Sequence, residues 1–353
     1  MYDLYRWAGR VIEAGMEAGL DLALGPGALP RPDLAPTPRD TVFREGTARL
    51  YRFRRPDDAP APTGLPLLLV PSLINRWYVL DLRRGGTLAG HLVAAGYDVF
   101  LLDWGIPEDE DRYLDWDEVL ARLARMVRRT KRLTGAPRLG LLGYCMGATL
   151  TGIHLALEPG DAAAFVNLAG PFDFSHAGCL GRMVDRRWFD AGAIADAGNV
   201  SPQQMESGFT GLRPTAGLAK LLGLPDLVGH PDRVERFLAL EAWARDNIPF
   251  PAEAYRTYIG DLYQRNALVA GTHHARGRRV DLKDVTCPIL SITADRDVIC
   301  PVPAATALLD ASGSQDTESI TVPGGHVGAV VGSRAARKLY PAIAEWLRPR
   351  LAS

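Results

Sequence analysis

Short apolar runs alternate with amphipathic segments along most of this chain of 353 residues. Strands are predicted at 48–54, 65–70, 97–103, 138–142, 164–168, 288–293 and 319–322, and helices at 87–95, 116–133, 146–157 and 334–347. Because strands in a parallel sheet are buried on both faces, their sequences are apolar throughout rather than alternating. The pattern therefore predicts an α/β fold, a mostly parallel sheet with helices on both faces.

The alternation stops after Phe174 and returns only near residue 280, after a helical and loop-rich block. We interpret residues 175–279 as a helical cap inserted between two parts of one core, residues 47–174 and 280–353. A cap inserted there would cover the carboxyl ends of the strands, where open α/β sheets bind ligands. Residues 1–46 are predicted as an N-terminal helical segment that packs on the domain or docks on a partner.

Charge and cysteine content exclude several classes of function. Lys and Arg number 40 and Asp and Glu 41, so the net charge of −1 argues against a nucleic-acid-binding protein. The four cysteines are too few for a disulfide scaffold and form no CxxC pair. Neither a signal peptide nor a membrane-spanning segment is predicted, so the expected location is the cytoplasm.

The motif Gly143-Tyr144-Cys145-Met146-Gly147 lies between a predicted strand and a predicted helix. This is the G-x-S-x-G nucleophile elbow with cysteine in the serine position. A tight strand-to-helix turn projects the sulfur out of the sheet, and the adjacent helix N-terminus favours the thiolate. The motif predicts Cys145 as a catalytic nucleophile.

A cysteine nucleophile needs a base and an acid that orients the base. In the α/β-hydrolase fold these follow in the order nucleophile, acid, histidine. His326 follows the last predicted strand and has glycines on its N-terminal side, which predicts it as the base. Asp295 and Asp297 both follow the preceding strand, and the spacing alone does not choose between them.

An oxyanion hole would complete such a site. Its expected donors are the backbone N–H of Met146 and that of Leu73 or Ile74, in the loop after the first core strand. No metal or cofactor is expected, since the His273-His274 pair has no carboxylate or thiol at ligand spacing.

Several stretches together resemble the polyhydroxyalkanoate synthases, specifically the short catalytic subunit of the class III enzymes. The resemblance covers roughly residues 47–347 and rests on LPLLLVPSLINRWYVLDL, YDVFLLDWGIPEDEDR, LLGYCMGATL, LAGPFDF, VDLKDVTCPILSITADRDVICP and VPGGHVGAVV. It departs from the family pattern at Ala148, where the elbow usually continues with a second glycine.

The resemblance implies an α/β-hydrolase fold and a catalytic triad of Cys145, Asp297 and His326. It also implies that Asp173 and Trp243 lie near the site or support it. The implied reaction is polymerisation of 3-hydroxyacyl-CoA, of short chain such as 3-hydroxybutyryl-CoA, with release of CoA through a Cys-acyl intermediate. The implied partners are a second, non-catalytic synthase subunit and a second copy of the chain, at the surface of the polyester granule.

The alternative function on the same fold is a hydrolase with a cysteine triad, such as an intracellular polyester depolymerase or a thioesterase. In that case water, rather than a hydroxyacyl group, would resolve the acyl-enzyme.

Overall fold

The computed structural model describes Gly15 and residues 31–56, 62, 64–212, 220, 222–227 and 230–352. Most of the predicted helical segment 1–46 lies outside the described residues. Its described end corrects the prediction, because Arg39–Glu45 form a strand rather than a helix. The β-branched and aromatic residues Thr41, Val42 and Phe43 favour an extended chain, and Gly46 (φ +55°) turns it into the next strand.

One sheet of eight strands forms the centre of the molecule. We number its strands β1 (Arg39–Glu45), β2 (Ala48–Phe53), β3 (Leu67–Val70), β4 (Val99–Asp103), β5 (Leu139–Tyr144), β6 (Ala162–Leu168), β7 (Ile289–Ala294) and β8 (Thr317–Val322). The spatial order is β1-β2-β4-β3-β5-β6-β7-β8. Strand β2 runs antiparallel to β1 and β4, and every pairing from β4 to β8 is parallel.

Helices cover both faces of this sheet. Among the described residues, the α-helices are α1 (Leu88–Ala94), α2 (Trp116–Thr134), α3 (Met146–Leu157), α4 (Gly178–Met183), α5 (Ala191–Asp196), α6 (Pro202–Leu212), α7 (Pro231–Arg245), α8 (Ala252–Thr257), α9 (Val302–Ala311), α10 (Gly328–Val331) and α11 (Tyr340–Arg350). Their ends follow local sequence signals. Helix α2, for example, begins where Asp115 accepts from the backbone N–H of Glu118 (2.8 Å) and ends at Gly135 with φ +72°.

The side chains of the central strands alternate between two hydrophobic clusters, one on each face of the sheet. In β3, Leu68 joins the cluster that contains α2 and α3, whereas Leu67 and Leu69 join the cluster that contains α1 and α11. Burial on both faces explains why the strands are apolar throughout. The predicted mostly parallel sheet with helices on both faces is confirmed.

The residues predicted as a cap share their core with the sheet. Phe250, Tyr255 and Tyr258 belong to the same buried cluster as residues of β3 and α3. Tyr258 stacks on Trp116 at the start of α2, with ring centroids 5.6 Å apart. Helix α8 continues as a π-helical turn over Tyr258–Gln264, and the buried side chains of this turn belong to the same cluster.

No helix among the described residues is long and apolar enough to cross a membrane.

Candidate active site

Cys145 occupies a strained turn between β5 and α3. Its backbone angles are φ +55° and ψ −129°, a combination that costs free energy for any residue with a side chain. Its N–H donates to the carbonyl oxygen of Leu168 (2.9 Å), and its own carbonyl accepts from Ala148 N (2.9 Å). The backbone on both sides therefore holds the turn, and the Cys145 side chain remains partly exposed.

The two glycines of the motif are required by close approach. A Cβ atom at Gly143 would lie 2.3 Å from the Cα atom of Ala148. A Cβ atom at Gly147 would lie 2.2 Å from the carbonyl oxygen of Val70 and 2.4 Å from that of Pro71. These neighbours are backbone atoms that cannot rotate away, so only glycine fits at either position.

His326 and Asp297 form a buried pair. Nδ1 of His326 lies 2.7 Å from Oδ2 of Asp297, and both residues are less than a tenth exposed. The other carboxylate oxygen of Asp297 accepts from the backbone N–H groups of Ile299 and Cys300, each at 2.9 Å. The carboxylate is therefore fixed by the loop that follows β7.

Asp295 has a different place in the structure. Its Oδ1 accepts from the backbone N–H of Gly324 (2.8 Å), and the N–H of Arg296 donates to the Gly324 carbonyl oxygen (2.9 Å). Asp295 thus ties the loop after β7 to the loop that carries His326. The structure places Asp297, not Asp295, against the imidazole.

The charge of His326 depends on Cys145. Burial of the ring lowers the pKa of His326, but the negative charge of a Cys145 thiolate and the hydrogen bond to Asp297 outweigh it, raising the pKa to about 10. At neutral pH the His326 ring therefore carries a second proton, which it can give to a leaving group.

Three buried tyrosines around Cys145 were not predicted from the sequence. Tyr144 stacks on His326, with ring centroids 5.4 Å apart. Tyr258 and Tyr263 approach each other edge to face at 5.4 Å in the π-helical turn. Burial, with the charge on Cys145 adding to it, raises the pKa of all three. Their hydroxyls therefore stay protonated and can donate hydrogen bonds.

The loop after β3 is fastened at both ends. The indole N–H of Trp104 donates to the Pro71 carbonyl oxygen (3.0 Å), and that of Trp243 donates to the Arg76 carbonyl oxygen (2.9 Å). Leu73 and Ile74, the expected oxyanion donors, lie between these anchors and are buried. The third expected donor, Met146, is the first residue of α3, so its N–H has no acceptor within the helix.

Trp243 and Asp173 occupy supporting positions. Trp243 reaches the loop after β3 rather than Cys145 itself. Asp173 accepts from Asn266 Nδ2 (2.8 Å) and from the hydroxyl of Ser175 (2.6 Å). It therefore ties the start of the residues predicted as a cap to the end of the π-helical turn.

Among the described residues, no group of three or more His, Cys, Asp or Glu side chains is arranged to hold a metal ion. Cys300 is buried beside Asp297, and burial raises the pKa of its thiol well above the usual value. Cys300 is therefore a neutral neighbour of the pair.

The α/β-hydrolase-fold family matches residues 66–333. A monoacylglycerol lipase from Paleococcus ferrophilus has a similar structure, with a TM-score of 0.51 and 17% identity over 85% of this chain and 99% of that one. BpoC from Mycobacterium tuberculosis, named a putative non-heme bromoperoxidase, matches with a TM-score of 0.53 and 13% identity over 82% of this chain and 94% of that one. The molecule is therefore an α/β-hydrolase-fold protein, here with cysteine at the elbow.

Sequence relatives narrow this class. The poly(3-hydroxyalkanoate) polymerase subunit PhaC of Allochromatium vinosum is 34% identical over 90% of this chain and 90% of its own length. The PhaC subunit of a Synechocystis strain is 33% identical over 89% of this chain and 85% of its own length. The chain belongs to the poly(3-hydroxyalkanoate) polymerase family. Family membership confirms the resemblance and the synthase function that the sequence predicts.

Proposed function

We propose that this chain polymerises 3-hydroxyacyl-CoA thioesters through a covalent intermediate on Cys145, with His326 and Asp297 completing a catalytic triad. The observation that carries this proposal is the buried His326–Asp297 hydrogen bond of 2.7 Å behind a cysteine at a strained elbow. Family membership supplies the substrate class, since the relatives are named as polymerases of 3-hydroxyalkanoates.

In the first half-reaction, the Cys145 thiolate attacks the acyl carbonyl carbon of the substrate. The resulting oxyanion is stabilised by the N–H of Met146 and that of Leu73 or Ile74. The carbon–sulfur bond to CoA then breaks, and His326 gives its proton to the departing CoA sulfur. Exchange of one thioester for another is nearly isoenergetic, so the acyl group on Cys145 stays transferable.

Acylation of Cys145 changes the charge that His326 carries. The charge of the thiolate is the largest of the influences that raise the pKa of His326, and a neutral thioester no longer supplies it. Burial then favours the neutral imidazole. Neutral His326, with Asp297 holding its orientation, accepts the proton of the next hydroxyl group as that hydroxyl attacks the Cys145 thioester. An ester bond forms, the carbon–sulfur bond to Cys145 breaks, and the Cys145 thiolate is restored as the leaving group.

Buried aromatic side chains near Cys145 support polymerisation over hydrolysis. Tyr258 and Tyr263 lie in the π-helical turn and are buried together with Phe174. Exclusion of water from an acyl-enzyme prevents its hydrolysis. We assign this role to the residues 175–279 that the sequence predicts as a cap.

We further propose that the chain works as a homodimer with a second, non-catalytic synthase subunit at the polyester granule surface. The relatives are named as polymerase subunits, which supports a multi-subunit enzyme. The proposed chain-length preference is short, with 3-hydroxybutyryl-CoA as the substrate.

The test is incubation of the purified protein with 3-hydroxybutyryl-CoA, with and without a partner subunit. CoA release is followed with a thiol reagent and polymer by turbidity. We expect both signals in the wild type and neither in Cys145→Ala, while Cys179→Ala, which changes an exposed cysteine, keeps full activity. CoA release with free 3-hydroxybutyrate and no polymer would identify a thioesterase instead.

A further inference from the structure

His273 is one of two adjacent histidines and takes no part in the proposed mechanism. Its side chain is fully buried, and neither ring nitrogen has a hydrogen-bond partner among the described residues. Its neighbour His274 is exposed, with Nδ1 lying 3.1 Å from the carbonyl oxygen of Thr272. A buried imidazole without partners is stable only while it carries no charge.

His273 lies where three elements meet. Its backbone N–H donates to the carbonyl oxygen of Ala267 (3.1 Å), just after the π-helical turn. Its own carbonyl oxygen accepts from Val280 N (2.9 Å) and closes the two-stranded hairpin of residues 274–279. The hairpin is fastened to the start of α2, where Asp117 accepts from one of its backbone N–H groups (2.7 Å).

Charged groups face the ring from each of these elements. On the π-helical turn, Oδ2 of Asp261 lies 3.6 Å from Nδ1 of His273, and Oδ1 of Asp261 is paired with Arg265. Burial is the largest influence on the ring and lowers the pKa of His273 to about 4. The carboxylate of Asp117 opposes this shift, whereas His274 and Arg265 add to it. The ring is therefore neutral at pH 7.

Neither nearby carboxylate is free to neutralise a charged His273. Asp261 is paired with Arg265, and Asp117 holds the hairpin. A second proton on the ring would draw one of these carboxylates from its present partner, or the ring would have to reach solvent. Each outcome alters the π-helical turn or the hairpin that packs on it.

The π-helical turn carries Tyr258 and Tyr263, whose buried rings lie near Cys145. Ala275 of the hairpin and Leu268 beside it belong to the same buried cluster as both tyrosines. Because a close-packed core transmits displacements, a change in the hairpin reaches the aromatic surroundings of the nucleophile.

We infer that His273 makes the packing around Cys145 sensitive to pH, because protonation of its ring opens the hairpin and the π-helical turn. Such an opening is local and leaves the sheet folded. In the opened segment the imidazole regains its ordinary affinity for protons, with a pKa of about 6.5. The closed form therefore loses stability as the pH falls from about 6.5 to about 4.

The consequence for the chemistry rests on the proposed function, whereas the opening itself does not. Opening admits water to the acyl-enzyme. Water then attacks the Cys145 thioester, the carbon–sulfur bond breaks, and the free 3-hydroxy acid leaves. Water supplies the hydroxyl of that acid and the proton that restores the Cys145 thiol. Acid thus diverts acyl groups from polymer to free hydroxy acid.

Hydrogen exchange measures the opening without turnover. The hydrogen-bonded backbone N–H groups of Thr272, His273 and Val280 are followed by mass spectrometry at about pH 7.5 and about pH 5.5, with intrinsic exchange rates corrected for pH. In the wild type we expect protection to fall about tenfold, the ratio given by pKa values of about 6.5 in the open form and about 4 in the closed form. Unchanged protection would overturn the inference.

Two variants remove the titration in different ways, so that a folding failure in one leaves the other. His273→Leu replaces the ring by an apolar side chain of similar size, and His273→Gln replaces it by a polar one that does not titrate. We expect both to lose the pH dependence. His274→Leu is the matched control, because this exposed ring titrates alike in both forms and the fall should remain. A wild-type fall in the His273 variants would assign it to other groups and overturn the inference.

A product assay tests the consequence separately. 3-Hydroxybutyryl-CoA is supplied at both pH values, and the acyl groups are divided into polymer and free 3-hydroxybutyrate. We expect the free fraction to rise at about pH 5.5 in the wild type and in His274→Leu, and to stay constant in His273→Leu. An equal rise in His273→Leu would overturn the role of His273. Absence of polymer from the wild type at either pH overturns the proposed polymerase and leaves the exchange result standing.

Discussion

The charges of Cys145 and His326 are coupled through direct proximity inside a buried site. Burial alone would keep the imidazole neutral, and the thiolate together with Asp297 reverses that preference. In the proposed mechanism, the same histidine therefore acts as an acid while CoA leaves and as a base after Cys145 is acylated. A cysteine is suited to this alternation because its charged form is accessible at neutral pH.

This coupling makes a prediction for NMR of a histidine-labelled protein. In the wild type, the His326 ring should keep its second proton up to about pH 10. In Cys145→Ala the thiolate charge is gone and burial remains, so the pKa of His326 should fall. Cys179→Ala should leave the titration unchanged. An unaltered His326 titration in Cys145→Ala would contradict the coupling.

How far the sequence predicts such residues depends on their local pattern. Cys145 and His326 could be singled out because glycines beside them mark turns at strand ends. Asp295 and Asp297 lie in one turn, so only the fold shows which of them reaches the imidazole. Tyr258 and Tyr263 could not be predicted, since buried tyrosines at a spacing of five match no α-helical face.

At the scale of elements, the loop after β3 is hydrogen-bonded to helix α7. The loop after β3 is held by Trp104 at one end and by Trp243 of α7 at the other. The two indole N–H groups donate to backbone carbonyl oxygens at the two ends of this loop. The position of Leu73 and Ile74 therefore depends on helices and strands distant in sequence.

Trp243→Phe removes one of these anchors while keeping an aromatic ring in the core. We expect kcat for acyl transfer to fall about tenfold, because the proposed oxyanion donors would no longer be held in place. Alkylation of Cys145 by iodoacetamide forms no oxyanion, so its rate should not change. Equal loss in both reactions would assign Trp243 a general structural role instead.

A second element-scale prediction concerns the elbow. Gly147→Ala would place a methyl group 2.2 Å from the carbonyl oxygen of Val70, and the backbone would have to move. We expect the free energy of unfolding to fall by about 3 kcal/mol, measured by urea denaturation. Gly208→Ala in α6 is the control, since a Cβ atom there meets nothing within 4 Å. Comparable losses in the two variants would refute the steric explanation.

At the scale of the whole molecule, the sheet and the described residues of the predicted cap share one hydrophobic core. Phe250 and Tyr258 are buried in the cluster that also contains β3 and α3. Although the sequence predicts residues 175–279 as an insertion, part of its described apolar side chains, among them Phe250, Tyr255 and Tyr258, lie in the common core. Periodicity reveals the interruption of the α/β pattern but not where the inserted side chains pack.

This shared core predicts cooperative unfolding. In differential scanning calorimetry, we expect one heat-absorption peak for the sheet and the predicted cap together. Unfolding of either part would expose apolar side chains of the other. Trp116→Phe, which alters the stacking contact with Tyr258, should lower the temperature of that peak without splitting it. Two resolved peaks would show that the inserted residues unfold independently.

The π-helical turn at Tyr258–Gln264 also makes the geometry of the site depend on the number of residues in this turn. A π turn holds one residue more than the α-helical turn it replaces, and here it brings Tyr258 and Tyr263 to the same side. Deletion of a single residue between them would restore α-helical winding and rotate everything beyond it by about 100°. Loss of a single residue here would therefore change the aromatic surroundings of Cys145 without substitution of any aromatic residue.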